Sequence, residues 1–296
     1  MKVYIYLNGG FGNNLFQIAR AISTCTKEGH QSKFYLVTKD LSNADEKNIF
    51  KVFKDIDFLI KKRTLLDKMI MNYLVYKAKI YGAFFYRGIK LPFLLKGIMF
   101  QEGTKYKEYP YSKLMNSLYV VGSWQSLKYF SNVRNSVKDI FINALGYYHK
   151  DNLKHSVALH IRRGDYLSNK WSKDLVVCGD NYYANSVSFI NKTLDKTSLK
   201  YFVYTNNKKD LIWIQNNYTF LRHYDVEYVD GHFDTITDFI KMIRHEHFVL
   251  SNSTFSWWAS FLKYSDSGLI LAPSKWNNGA YPMTDIYLDN WKIIKT

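Results

Sequence analysis

Residues 157–166 read Val-Ala-Leu-His-Ile-Arg-Arg-Gly-Asp-Tyr, and they constrain the fold more than any other stretch. Val157, Leu159 and Ile161 alternate with Ala158, His160 and Arg162, the two-residue period of a strand entering a sheet. The strand then delivers Arg162, Arg163 and Asp165 into a turn punctuated by Gly164. Two guanidiniums at the carboxyl end of a buried strand are costly unless an anion meets them. A diphosphate, rich in oxygens and doubly charged, matches a pair of arginine forks. An Arg–Asp pair that merely closes the loop is the competing reading, and this stretch alone leaves both open.

The same strand-then-helix grammar recurs on both sides of it. A strand over residues 3–7 runs into Asn8-Gly-Gly-Phe-Gly-Asn13, and Leu15, Phe16, Ile18, Ala19 and Ile22 then mark the apolar face of a helix. Residues 34–38 read as a second strand. Strand, glycine-rich turn and helix form the opening unit of a nucleotide-binding-like α/β domain. Gly9, Gly10 and Gly12 lack the GxGxxG spacing, so they serve either close approach to a phosphate or sugar, or simply a tight turn. After a polar stretch at 147–155, helices at 182–194, 211–216 and 235–244 alternate with strands at 201–204, 226–229 and 248–251. This pattern predicts a second parallel sheet. The predicted division is residues 1–150 and 151–296.

Residues 61–100 depart from that grammar. They hold nine Lys or Arg and one acid, Asp67, interleaved with aromatics, and read as a basic, aromatic, helical insert. A solvated helix face and a patch that rests on an anionic membrane both fit. The net charge of +16 favours an anionic partner of some kind. No finger, helix-turn-helix or RNP signature supports nucleic acid, so none is expected as a partner. Cys25 and Cys178 lack CxxC spacing, and His245 and His247, read on a helix, would not share a face. No metal set is expected. With no leader and no apolar run of bilayer length, the chain reads as cytoplasmic.

A second loop completes the site. Asn252, Ser253 or Thr254 could cap the helix that follows residues 248–251, and the start of a helix favours anions. It forms a candidate second jaw around a diphosphate. Asp238, on the preceding helix, is either an exposed carboxylate or an acceptor for guanine's two adjacent donors.

Taken in order, Gly9-Gly-Phe-Gly-Asn-Asn-Leu-Phe-Gln17, His160-Ile-Arg-Arg-Gly-Asp-Tyr166, Ser251-Asn-Ser-Thr-Phe-Ser-Trp-Trp258 and Ala272-Pro-Ser-Lys-Trp276 resemble the α-1,2-fucosyltransferases of glycosyltransferase family 11. Asn14 stands where the family usually has Gln, and Thr205-Asn-Asn207 where many members have Ser-Asp-Asp. The resemblance implies an inverting enzyme with two Rossmann-like domains facing a cleft, the GT-B arrangement, using GDP-β-L-fucose with no metal or other cofactor. It implies Arg162 and Arg163 at the diphosphate, with Asn252, Ser253, Thr254 and Phe255 in the opposing loop. His160 and Asp238 would hold guanine, and Gly10, Gly12 and Asn13 would lie near the sugar or acceptor. Asp165 is the nearest motif acid and would serve as base or as orienter of the arginines. The expected acceptor is a galactoside, lipid-linked, met by an enzyme peripheral to the inner face of an anionic membrane.

Overall fold

The computed structural model describes residues 2–27, 34–38, 44–54, 58–62, 64–66, 68–69, 98–100, 105–108, 117–146, 152–169, 172–194, 199–230, 234–263, 267–278 and 283–296. The chain divides into two compact units, Met1–Ile140 and Phe141–Thr296. Each is built on one parallel sheet with helices between its strands, as the alternating apolar runs predict.

In the first unit, β1 (Lys2–Tyr6), β2 (Phe34–Thr38), β3 (Phe58–Lys62), β4 (Ile98–Phe100) and β5 (Ser117–Val121) take the order β3-β2-β1-β5-β4. Helix α1 (Phe11–Lys27) buries Leu15, Phe16, Ile18, Ala19 and Ile22, the face its spacing predicts. Helix α2 (Ala44–Val52) follows β2. The expected helical insert over 61–100 needs correction at both ends. Lys61 and Lys62, on β3, pair with Val37 and Thr38 of β2, and residues 98–100 pair with β5, so the sheet claims both termini of that segment. Between them, Leu65, Leu66, Lys68 and Met69 are helical and exposed, while Arg63, Lys77, Lys79 and most of the aromatics lie outside the described residues.

The second unit has β6 (Leu153–His160), β7 (Lys200–Tyr204), β8 (Asp225–Tyr228), β9 (His245–Val249), β10 (Ile270–Pro273) and β11 (Lys292–Ile294), in the order β11-β10-β9-β6-β7-β8. Its longer helices are α3 (Arg134–Ala144), which runs across the division, α4 (Asp180–Leu194), α5 (Lys208–Asn217), α6 (Thr235–Ile243) and α7 (Thr254–Leu262). Phe141 packs its ring 5.1 Å from Trp258 of α7, so the last turns of α3 go with this unit. Strand β9 starts three residues before the predicted one, which moves His245 and His247 from a presumed helix to a strand. Alternation there puts them on one face, and both are buried. Their imidazoles are held by Tyr204, Ser156 and the backbone of Leu269.

Two layers cover this sheet. Val157 and Leu159 of β6, and Ile161 just after it, join Tyr183 and Val187 of α4 and Leu211 and Ile214 of α5 in one core cluster. His160 faces the other layer, where Phe255 of α7 meets both its ring and Phe239 of α6. Among the described residues no helix is long and apolar enough to cross a membrane.

Candidate functional site

In an open parallel sheet the ligand crevice lies at the carboxyl ends of two adjacent strands whose chains leave in opposite directions. In the second unit those strands are β6 and β9. His160 ends β6, and its Nδ1 lies 2.8 Å from the Ser251 hydroxyl just beyond β9, a hydrogen bond across the switch point. Burial, with the Arg162 charge added, lowers the His160 pKa to about 3. The ring is therefore neutral and acts through hydrogen bonds and stacking. Tyr204, in register with His160 on β7, bonds its hydroxyl to His245 Nε2 at 2.8 Å. Its pKa is raised first by burial and then by the Asp238 carboxylate, which sits half-buried in the first turn of α6. His160 and Asp238 thus come to the same layer of the sheet.

The two arginines part company. Arg162 donates from Nη2 to Asp165 Oδ1 at 2.8 Å and lies 5.2 Å from the centre of the Tyr166 ring. Tyr166 in turn donates its hydroxyl to the Asn252 carbonyl, which ties the loop after β6 to the loop after β9. Arg163 turns to the opposite layer, its guanidinium carbon 3.2 Å from the centre of the Trp213 ring on α5. Its Nε stands 3.6 Å from Asp210 Oδ1, and Asp210 Oδ2 also accepts the Gly164 amide. The positive φ of Gly164 (38°) brings its α-carbon against Asn206, where a side chain would press on the carboxamide. The Nε–H donors of both arginines are buried without a hydrogen bond. A buried donor left unbonded beside a strand end is what an anion would satisfy.

The loop after β9 takes two roles. Ser253 caps α7, its hydroxyl accepting from the Phe255 amide, while Thr254 begins the helix. The first-turn amides and the helix dipole favour an anion there. Asn252 is committed to protein contacts: Nδ2 donates to the Leu175 and Trp276 carbonyls, and Oδ1 accepts from Cys178. It braces the loop through its side chain.

Sequence reasoning missed Asp210, Trp213, Asn206 and Tyr204. Asn207 and Asp210 form a reciprocal cap, Oδ1 accepting the Asp210 amide and Nδ2 donating to its carboxylate. That Asn-x-x-Asp spacing was the one signal available. It supplies, a helical turn late, an acid near the position where Thr205-Asn-Asn207 lacks one.

The first unit gathers polar side chains at the carboxyl ends of its adjacent strands β1 and β5. Gly10 precedes α1, and Gly12 and Asn13 lie in its first turn, so the glycine loop is shorter than expected. Gln125, after β5, donates to Asn13 Oδ1 at 2.8 Å. Gln17 accepts from the Asn8 amide and donates to the carbonyls of Asn8 and Gly122, stitching the two strand ends. Trp124 is fully buried with φ at 54°, a conformation costly for a bulky residue and characteristic of constrained sites. Asn14 is fully buried, and both its amide atoms lack a hydrogen bond. Among the described residues no cluster of three His, Cys, Asp or Glu could hold a metal.

An Escherichia coli alpha-1,2-colitosyltransferase is 27% identical over 283 residues, covering 91% of this chain and 90% of that protein. An Escherichia coli O-antigen biosynthesis glycosyltransferase, WbnK, is 24% identical over 98% of this chain and 99% of its own. Among solved structures, the E. coli heptosyltransferase WaaC with ADP superposes with a TM-score of 0.50 at 9% identity, over 100% of this chain and 93% of that one. The two parallel sheets with flanking helices are the GT-B architecture. Glycosyl transferase family 11 matches residues 2–295, nearly the whole chain. This chain is a glycosyltransferase and belongs to family 11.

Proposed function

We propose that the protein is an inverting α-1,2-fucosyltransferase that moves L-fucose from GDP-β-L-fucose to a terminal galactose-like residue of a surface-glycan precursor. The observation that carries this reading is the pair of strand-end arginines whose buried Nε–H donors make no hydrogen bond, on a loop that Tyr166 ties to the cap of α7. Breaking the fucose–phosphate bond leaves negative charge on GDP, and donors fixed in advance stabilise that charge as it develops. Arg162 supplies the cation, and the first-turn amides of α7 at the adjoining strand end add to it. Asp165, held on Arg162, orients it. Asp238 accepts from guanine N1–H and the exocyclic amine, with neutral His160 beside it. With these charges in place, transfer proceeds in EDTA.

The acceptor is proposed to be lipid-linked, met at the cytoplasmic face of the membrane. Supporting this, Leu65, Leu66 and Met69 are 76%, 56% and 61% exposed next to Lys68, an apolar and basic surface suited to anionic lipid. The name of the O-antigen relative supports a surface glycan.

A second donor is favoured by the colitosyltransferase relative. Colitose is L-fucose without its 3-hydroxyl, so one hydrogen bond in the sugar pocket would choose between them. The deciding experiment offers the protein GDP-fucose and GDP-colitose with soluble β-galactosides, follows GDP release, and assigns the product linkage by NMR. An α-1,2-linked fucoside supports the first reading. Turnover with GDP-colitose alone supports the second, and turnover with neither overturns both.

A further inference from the structure

A groove of about 850 Å³ runs between the loop after β6 and the outward face of α5. Ile212, Trp213 and Asn216 line one wall, three residues that share a helix face by their spacing, and Leu167 and Ser168 belong to the loop on the other. Leu167, Ile212 and Trp213 are 47%, 46% and 37% exposed, which is unusual for large apolar side chains in a wall of this kind. The charges of the lining cancel, Arg163 and Lys209 against Asp165 and Asp210, although the chain as a whole carries +16.

We propose that this groove binds the acceptor glycan, as a neutral oligosaccharide extending beyond the sugar that is fucosylated. The inference rests on the glycosyltransferase reading of Arg162 and Arg163 and deepens it. A sugar ring has an apolar C–H face and a rim of hydroxyls. An indole with neighbouring aliphatic side chains meets the first, and the carboxamide of Asn216 and the hydroxyl of Ser168 meet the second. A nucleotide, a nucleic acid or an anionic lipid surface would need surplus positive charge here, and the groove has none. Its volume lies at the upper end of small-molecule sites, room for several sugar rings. Asp165 lines it and holds Arg162, so a glycan lying in it reaches the proposed leaving-group site.

The test uses Ile212→Ala and Asn216→Ala, exposed helix positions where alanine preserves the helix. Kinetics are measured with soluble β-galactosides of increasing chain length. For the unmodified protein, acceptor KM falls as sugars are added. In each variant the KM for the longer acceptors rises roughly tenfold, the cost of one lost apolar or polar contact, while GDP affinity holds. Length-independent KM in the unmodified protein, or variants that keep its length dependence, would overturn the groove as a glycan site. Loss of anionic-vesicle binding in the variants, with KM unchanged, would overturn it in favour of lipid. GDP release from GDP-fucose by the unmodified protein is scored separately, so that failure of the donor reading is distinguished from failure of the groove.

Discussion

At the β1/β5 crevice the polar side chains are amides, Asn13, Gln17 and Gln125, bonded to one another or to backbone across the strand ends. At the β6/β9 crevice they are two arginines, each with one aromatic ring and one carboxylate: Tyr166 and Asp165 for Arg162, Trp213 and Asp210 for Arg163. Both crevices lie at the carboxyl ends of adjacent parallel strands, and their chemistry differs. Neutral amides suit hydroxyls and build up no charge. Guanidiniums whose Nε–H makes no hydrogen bond suit an anion. Under the proposed function, that contrast gives the leaving group to the second unit.

The sharpest way to break that assignment is to remove the charge. Arg162→Ala is expected to lower kcat by about 100- to 1,000-fold, the usual loss for one donor to a developing oxyanion. Lysine should rescue poorly, since it lacks the planar fork. Gln125→Ala, at the other crevice, should cost about tenfold or less, because it removes a neutral hydrogen bond worth roughly 0.5–1.5 kcal/mol. Equal losses in the two variants, measured by GDP release at saturating donor, would erase the distinction.

A smaller effect tests base recognition. Asp238→Asn should raise the donor KM about tenfold, because an amide accepts from only one of guanine's two donors and a hydrogen bond to a charged group is worth roughly 1.5–3 kcal/mol. Discrimination against nucleotides without the exocyclic amine should relax in parallel. An unchanged donor KM with a collapsed kcat would move Asp238 to the chemistry. Trp213→Ala should act more weakly, by about two- to thirty-fold, since an arginine on an indole face is worth roughly 0.5–2 kcal/mol. Trp213→Phe should recover most of it. A loss in Trp213→Ala as large as that in Arg162→Ala would show that Trp213 does more than hold Arg163.

The contrast between the units also explains what the sequence could disclose. Where a strand is buried among apolar neighbours, as at β6 and β7, alternation in the residues reports it directly. The start of β9 escaped because His245 and His247 are buried through hydrogen bonds, to Tyr204, Ser156 and Leu269, and polarity hides them from a hydrophobic pattern. The ends of the basic segment escaped because Lys61 and Lys62 extend an edge strand, where charge is tolerated. Arg162, His160 and Ser253 were legible because strand-end arginines and a helix cap are local features. The partners of Arg163 were not, since Asp210 and Trp213 reach it only through the packing of α5 on the sheet.

The smallest expected effect is on stability, and its sign follows from the buried imidazoles. His160 and His245 each have a folded-state pKa lowered to about 3, by burial first and then by the neighbouring charges of Arg162 and Arg244. In the unfolded chain a histidine titrates near ~6.5. Between these values the unfolded state binds protons that the folded state refuses. Stability is therefore full above about pH 6.5 and declines as the pH falls towards 3. The slope approaches about 1.4 kcal/mol per pH unit for each histidine, whatever the depth of the shift. The amides of the β1/β5 crevice contribute no such slope. Calorimetry between pH 7 and 5, above the ordinary carboxylate range, should show the melting temperature falling with pH, and His245→Gln should flatten the fall by about half. Hydrogen exchange should show protection at β6 and β9 declining before that at β1 and β5. A melting temperature independent of pH over this interval would mean the two imidazoles are protonated or solvated in the folded protein, and the uncharged pairing of His160 with Ser251 across the switch point would have to be abandoned.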